Sequence, residues 1–376
     1  MSRRVDAENG AGESDGAGDA SSIGRRAVLA AGATVAGGTA IAGCLGGENG
    51  DEGGAETNVA IVSSPAGFGD NAFNDNALAG LQRAAEKWDV SVNDVQETEE
   101  AEYESTQASL ADSGDYDLIV VVGFNHVDAL EVNAEEYPDQ NWMIINDRIE
   151  GADNVSGWIE MNNEMSFLAG VVAGTMTQEE LEHEGSETEP GERTIGFVGG
   201  EDMPLINAFE QSYVEGAEWI ADDVEVLTGY GGSFEDSSAA ENVAASQYDD
   251  GADIIYHAAS AAGTGVFSAA EENGRFAIGV DTDQSVTEEQ YQDVIIGSAV
   301  KALDEATYEV AGAAAEGNFD DYVGENNLSV EQGAIDFVVG QAFESALPDA
   351  VDENLQEAKD GFANDEIELS CGPTSC

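Results

Sequence analysis

From Asn58 onward the chain alternates short apolar runs with longer amphipathic ones, and no other feature restricts its fold so sharply. The short runs read as strands at 59–63, 91–96, 118–123, 141–146, 195–199, 224–229, 253–257 and 276–280. The amphipathic runs between them read as helices at 72–88, 101–113, 164–177, 204–221, 236–249 and 261–273. Strand and helix in strict alternation predict parallel sheets covered by helices. An acidic stretch from Gln178 to Arg193, with Pro190-Gly191 near its end, reads as a surface insertion and splits the pattern into two similar sets. The span exceeds one ordinary core, so two α/β lobes with a cleft between them are expected. Beyond Asp281 the pattern loosens into a strand near 293–297, a helix over about 299–316 and short strands within 333–340, which are expected to cross back between the lobes.

The N-terminus speaks to location. Arg25-Arg26 opens a weakly hydrophobic run from Ala27 to Gly43 that closes on Ile41-Ala42-Gly43-Cys44, the layout of a twin-arginine export signal with a lipoprotein cleavage box. The run is too short and too rich in Gly and Ala for a membrane-spanning helix. Cys44 is therefore the expected lipid-bearing residue, and residues 45–57, mostly Gly and acid with no periodicity, read as a flexible tether.

Charge narrows the setting further. The formal net charge is -67, and only seven basic residues follow Cys44 against 73 acidic ones. Self-repulsion of this size opposes compaction in dilute buffer but is screened in concentrated salt, so the composition is that of a protein from a high-salt environment, as in a halophilic archaeon. An acidic disordered chain is excluded by the 42% of apolar residues and their regular clustering. Nucleic acid is excluded as a partner by charge of the same sign. Cys371 and Cys376 read as a small disulfide loop outside the cell. His126, His183 and His257 stand apart from one another, so no metal site and no cofactor are expected.

In open parallel sheets ligands sit beyond the carboxyl ends of the strands. That rule selects Phe124-Asn125 after 118–123, Asp147 after 141–146, Asp281 after 276–280, and Ser63-Ser64 with Asp70-Asn71-Ala72-Phe73-Asn74 after the first strand. Phe234 precedes Glu235-Asp236 in the loop after 224–229, so rings, amides and carboxylates gather at one rim. Plainer readings exist: Asp70 as a helix N-cap, Phe73 as packing beneath that helix, and Asp147 and Asp281 as solvated acids. Lys301 is a rare cation just after an apolar segment, suited to neutralising strand-end carboxylates unless it is a lone surface lysine. No complete P-loop, Gly-x-Ser-x-Gly elbow, His-Glu-x-x-His or Ser-His-Asp arrangement is present, and Gly199-Gly200 after a strand is only a weak phosphate-turn signal.

Over about 58–340 the chain resembles the basic membrane protein family of solute-binding lipoproteins, which includes purine nucleoside receptors of ABC transporters. The resemblance rests on Asp70-Asn71-Ala72-Phe73-Asn74, Val122-Gly123-Phe124, Asn163-Glu164-Met165-Ser166-Phe167-Leu168-Ala169-Gly170, Phe197-Val198-Gly199-Gly200, Gly263-Thr264-Gly265-Val266-Phe267, Ile278-Gly279-Val280-Asp281-Thr282-Asp283-Gln284 and Lys301. It implies that Phe73 and Phe234 sandwich a base while Asp147, Asp281 and Lys301 hold sugar hydroxyls, with Asp70, Asn74 and Ser260 also at the site. Two positions depart from the family: Ser64 where a base-contacting acid is usual, and Ser260 within Ala259-Ser260-Ala261-Ala262-Gly263 where a glycine is usual.

The expected architecture is thus a two-lobed, periplasmic-binding-protein-like (type I) α/β fold, each lobe a parallel sheet flanked by helices. The expected boundaries are 1–43 signal, 44–57 lipidated Cys and tether, 58–162 plus about 283–320 for the first lobe, 163–282 plus about 321–370 for the second, and 371–376 for the Cys pair. The expected function is that of a monomeric, membrane-tethered receptor on the extracellular face that captures a nucleoside-like solute and delivers it to an ABC permease. A sensory lipoprotein presenting its solute to a receptor and an extracellular nucleoside-acting enzyme are the alternatives.

Overall fold

The computed structural model describes residues 57–191 and 193–376. The expected export signal and Cys44 lie outside the described residues, as does the expected tether up to residue 56, while Thr57 already belongs to the first strand. Among the described residues no helix is long and apolar enough to cross a membrane.

The first lobe is built from β1 (Thr57–Val62), α1 (Phe73–Lys87), β2 (Val90–Val95), α2 (Tyr103–Ser113), β3 (Leu118–Val122), α3 (Val127–Glu136), β4 (Asn141–Ile145) and β5 (Val155–Glu160). Strand β3, Leu-Ile-Val-Val-Val, is buried throughout because helices cover both faces of its sheet. Its alternate residues serve two cores: Leu118, Val120 and Val122 pack toward Ala77 and Leu81 of α1, while Ile119 and Val121 pack toward Leu130 of α3.

The second lobe follows through α4 (Asn162–Met176), a small hairpin of β6 (Glu182–His183) and β7 (Ser186–Glu187), then β8 (Thr194–Gly199), α5 (Pro204–Ile220), β9 (Glu225–Tyr230), α6 (Ser237–Asp249), β10 (Ala252–Ala258), α7 (Thr264–Asn273), β11 (Phe276–Asp281), α8 (Gln284–Thr287) and β12 (Ile295–Lys301). The chain then returns through α9 (Leu303–Glu316) and β13 (Gly324–Leu328) before β14 (Ile335–Val339) and α10 (Asp349–Ala363). Helix α4 is apolar nearly all round and correspondingly buried, lying between the sheet and helices α5 and α10.

The strand orders are β2-β1-β3-β4-β5-β13 and β9-β8-β10-β11-β12-β14. All pairings within these two sheets are parallel except that of β12 with β14. The two sheets share one winding, and the expected α/β class of two helix-flanked, mainly parallel sheets is what the fold shows.

The return crossings differ from the sequence reading. The helix expected from 299 begins at Leu303, because Ala299 and Val300 pair with Phe337 and Asp336 and extend β12 to Lys301. Ala299 and Lys301 are weak strand formers on either side of Val300, and pairing with β11 and β14 decides the run. β12 therefore lies in the second sheet, within the 283–320 span expected in the first lobe, and α9 returns to pack on α1. β13 lies in the first sheet although 321–370 was assigned to the second lobe. Strands β5 and β13 and helices α3, α8 and α10 have no counterpart among the elements read from the sequence. The Gln178–Arg193 insertion carries the β6–β7 hairpin, and Cys371 is joined to Cys376.

Candidate functional site

The loops that follow β1, β3 and β4 face those that follow β10, β11 and β12 across a cleft enclosing about 620 Å³, part of it open to solvent. It is lined by Ser64, Phe73, Gly123, Phe124, Asn125 and Asn146 from the first lobe and by Leu205, Ile206, Phe209, Phe234, Ser260, Asp281 and Lys301 from the second. Every strand-end segment selected by the topological rule except that of Asp147 contributes a lining residue.

One end of the cleft is ionic. Lys301, the last residue of β12 and only 4% exposed, places Nζ 3.1 Å from Oδ1 of Asp281, itself 6% exposed. The same ammonium donates to Oδ1 of Asn162 at 3.2 Å and stands 4.7 Å from the centroid of the Phe73 ring. A buried pair of this kind is maintained by its remaining hydrogen bonds, and removing one partner leaves the other charge unmatched. Asp281 at φ 69° and Asn146 at φ 66° both hold left-handed backbone, a strained choice for residues with a Cβ and one that clusters at ligand sites.

Behind this pair lies Glu160, the last residue of β5, fully buried with no hydrogen-bond partner for either carboxylate oxygen. Burial pushes its carboxyl up to about 7, against the pull of Lys301 and with the repulsion of Asp281 and Asp147. Asp147 is half-buried, accepts the N–H of Arg148 at 2.8 Å and does not line the cleft; burial raises its carboxyl too.

The other walls are aromatic and aliphatic. Phe73 opens α1, and Phe124 opens the short 3-10 turn after β3. Gly123 precedes it at φ 107°, a conformation that L side chains rarely adopt. Pro204 starts α5 and delivers Leu205, Ile206 and Phe209 to the cleft. Phe234 lies flat on Gly200: a Cβ there would come within 2.4 Å of the ring. The weak phosphate-turn signal of Gly199-Gly200 is thus, at Gly200, a seat for an aromatic ring.

Asp70 and Asn74 support the site from outside the cleft lining. Asp70 accepts the N–H groups of Ala72, Asn74 and Asp75 at 3.0–3.1 Å, satisfying donors at the start of α1 from two residues before its N-cap, Ala72. Asn74 is fully buried, accepting from Ser64 N–H at 2.8 Å and donating to Ser64 Oγ and Asp70. Ser260 both lines the cleft and donates its hydroxyl to Asp70 Oδ2 at 3.1 Å. Further bonds cross between lobes where Asn76 Nδ2 reaches the carbonyls of Asp281 and Lys301 and Asn71 Nδ2 reaches Glu288.

Sequence reasoning passed over Asn146, Asn162, Glu160 and the α5 trio. Asn146 was hidden by ending its strand one residue late. The Pro at the head of a helical pattern after Gly199-Gly200 marked the α5 start. A Glu closing an unrecognised strand gave no signal.

Compared with known proteins, residues 57–370 match a family described as "ABC transporter substrate-binding protein PnrA-like". The chain is 32% identical over 279 residues to the CD4+ T-cell-stimulating antigen of Listeria monocytogenes serovar 1/2a, covering 69% of this chain and 74% of that protein. It is 30% identical over 294 residues to the ABC transporter nucleoside-binding protein BmpA of Lactococcus lactis subsp. cremoris, covering 72% of this chain and 79% of that protein. Among solved structures it is similar to an ABC transporter solute-binding protein from Aeropyrum pernix K1, with a TM-score of 0.73 and 25% identity over 83% of this chain and 92% of that one.

Proposed function

The chain belongs to the PnrA-like family of ABC transporter substrate-binding proteins, and from that premise we propose that it is a lipid-anchored receptor on the outer face of the cell membrane that captures nucleosides, purine nucleosides foremost, for an ABC permease. The observation that carries this reading is the pairing of a buried Asp281–Lys301 couple with Phe73 and Phe234 in one cleft. Flat rings stack on a base, each aromatic contact adding about 0.5–1.5 kcal/mol beyond area burial. The ionic end supplies an acceptor and a donor for adjacent sugar hydroxyls, and an unmet buried polar group penalises a solute that lacks them. The name of the Lactococcus relative supports the same class of solute. A ligand held by both lobes stabilises the closed form by its differential affinity for it. Cys44 as the anchor and a high-salt habitat complete the reading, and the protein acts as a monomer that binds without making or breaking a covalent bond.

Calorimetric titration with purine and pyrimidine nucleosides in molar salt tests it, alongside Asp281→Ala and Phe234→Ala. The expected result is one-to-one binding at about micromolar affinity or tighter, near -8 kcal/mol, weakened for 2'-deoxynucleosides and lost in both variants. A folded protein that binds no member of the panel would sink the nucleoside assignment.

A further inference from the structure

The cleft's lysine is connected to the last residues of the chain. Asn162, fully buried at the start of α4, turns its Oδ1 to Lys301 Nζ. Its amide nitrogen therefore needs acceptors on the other side, and it has two: Asn146 Oδ1 at 2.9 Å and the carbonyl of Pro373 at 3.3 Å. The neighbouring Asn163 donates to the carbonyl of Cys371 at 3.0 Å, and the N–H of Cys376 donates to the carbonyl of Pro204 at 3.1 Å, where α5 begins. Both half-cystine residues and the Pro373 between them thus touch the start of α4, which holds Lys301 through Asn162, and the start of α5, which lines the cleft.

The segment 371–376, four of whose six residues are Gly, Pro, Thr and Ser, has little apolar surface with which to stay docked. The Cys371–Cys376 bond closes it into a loop and holds its carbonyls in place. The family match ends at residue 370, immediately before this loop.

We propose that the Cys371–Cys376 loop is a strut of the binding cleft, positioning Lys301 through Asn162 and so setting the affinity for the solute. Asn162 is a positioning residue here: it fixes the ammonium against Asp281, and the loop fixes Asn162. As far as affinity is concerned the inference rests on the nucleoside reading above, whereas the placement of Lys301 does not.

The test compares the full chain with Cys371→Ala plus Cys376→Ala, with Asn162→Ala, and with all three combined, in molar salt. Guanosine and inosine affinity is expected to fall about tenfold on loss of the disulfide and less than about twofold further when Asn162 is already Ala, the non-additivity of groups acting in one chain of contacts. The second readout needs no ligand. The chain's lysines are Lys87, Lys301 and Lys359, so limited acetylation read by mass spectrometry reports Lys301 with two internal controls. Its acetylation is expected to rise several-fold in the disulfide-free protein while Lys87 and Lys359 stay unchanged. Equal Lys301 acetylation with and without the disulfide overturns the strut, as do losses of affinity that simply multiply. If the unaltered protein binds no nucleoside, the assignment of solute fails and Lys301 acetylation alone decides the strut.

Discussion

Ser260 and Asp70 join the two rims of the cleft: the serine hydroxyl, on the loop after β10, donates to the carboxylate that organises the start of α1. Ser260 does so from left-handed backbone at φ 47°, where glycine is at ease and a side chain costs about 1–2 kcal/mol. Ser260→Gly should remove the bond and the strain together, whereas Ser260→Ala removes the bond and keeps the strain. Denaturant unfolding is therefore expected to rank the glycine variant about 1 kcal/mol above the alanine variant. In both variants the unliganded protein should scatter X-rays as a more open particle, having lost a bond between the two rims. Equal stability of the two variants would show that the backbone at 260 is unstrained.

Glu160 gives stability a pH dependence of known sign. Its carboxyl is pushed by burial from an ordinary 4.5 to about 7. The folded state then binds more protons than the unfolded state between those values, so the stabilisation is intact below about pH 4.5 and is lost as pH rises through about 7. Glu160→Gln carries no such proton. Relative to the parent it should gain on the order of 3 kcal/mol of unfolding free energy between about pH 4.5 and pH 8. His126 and His257, held down to about 4 mainly by burial, act in the opposite sense and cancel in the difference between the two proteins. A difference curve flat across this window would mean that Glu160 ionises normally.

Gly200 is a size constraint on the aromatic wall. A Cβ at 200 would lie 2.4 Å from Phe234 Cδ1, so Gly200→Ala must push the ring toward the cleft or out of it. Affinity in the titration proposed above is expected to fall by about tenfold or more, approaching that of Phe234→Ala, with stability lowered by about 1–3 kcal/mol as for other overpacked sites. Tight binding retained in Gly200→Ala would remove Phe234 from the proposed stacking role.

Much of this site could be read from sequence because parallel α/β folds place ligands where strands end, and strand ends are marked by a change from apolar to polar residues. Phe124, Asp281 and the Phe73 segment all followed from that one rule. Ser260 came instead from the resemblance, as did the specific role given to Phe234. Elements whose identity is decided by neighbours were not legible. β5 carries Ser156, Gly157 and a terminal Glu160, and becomes a buried strand only because β4 and β13 flank it. β13, Gly-Glu-Asn-Asn-Leu, is an edge strand with almost no apolar pattern. Helix α10 was legible and missed: Val351, Leu355 and Ala358 recur at helical spacing and are its buried face. Of the neighbours Asn146 and Asp147 only Asn146 lines the cleft, because adjacency to a strand end fixes position along the chain but not side-chain direction.

Charge makes the last prediction. The basic residues after Cys44 are Arg83, Lys87, Arg148, Arg193, Arg275, Lys301 and Lys359. All are already engaged: Arg83 with Asp304 and Glu305, Arg148 with Glu150 and Glu325, Arg193 with Asp223, Arg275 with Glu189, Lys301 with Asp281, Lys359 with Asp336, and Lys87 over the Trp88 ring. With 73 acids after the same point, most carboxylates can be offset only by ions from solution. The folded state concentrates these like charges more than the unfolded chain does, so screening them favours folding. The thermal midpoint is expected to rise steeply with potassium chloride to about 1 M, where the Debye length has shrunk to roughly 3 Å, and more gently beyond. Scanning calorimetry across that range distinguishes screening from site-specific ion binding, because sodium, potassium and caesium chlorides at equal ionic strength should then give the same midpoint. A midpoint indifferent to salt would mean that the carboxylates stand far enough apart for water alone to screen them.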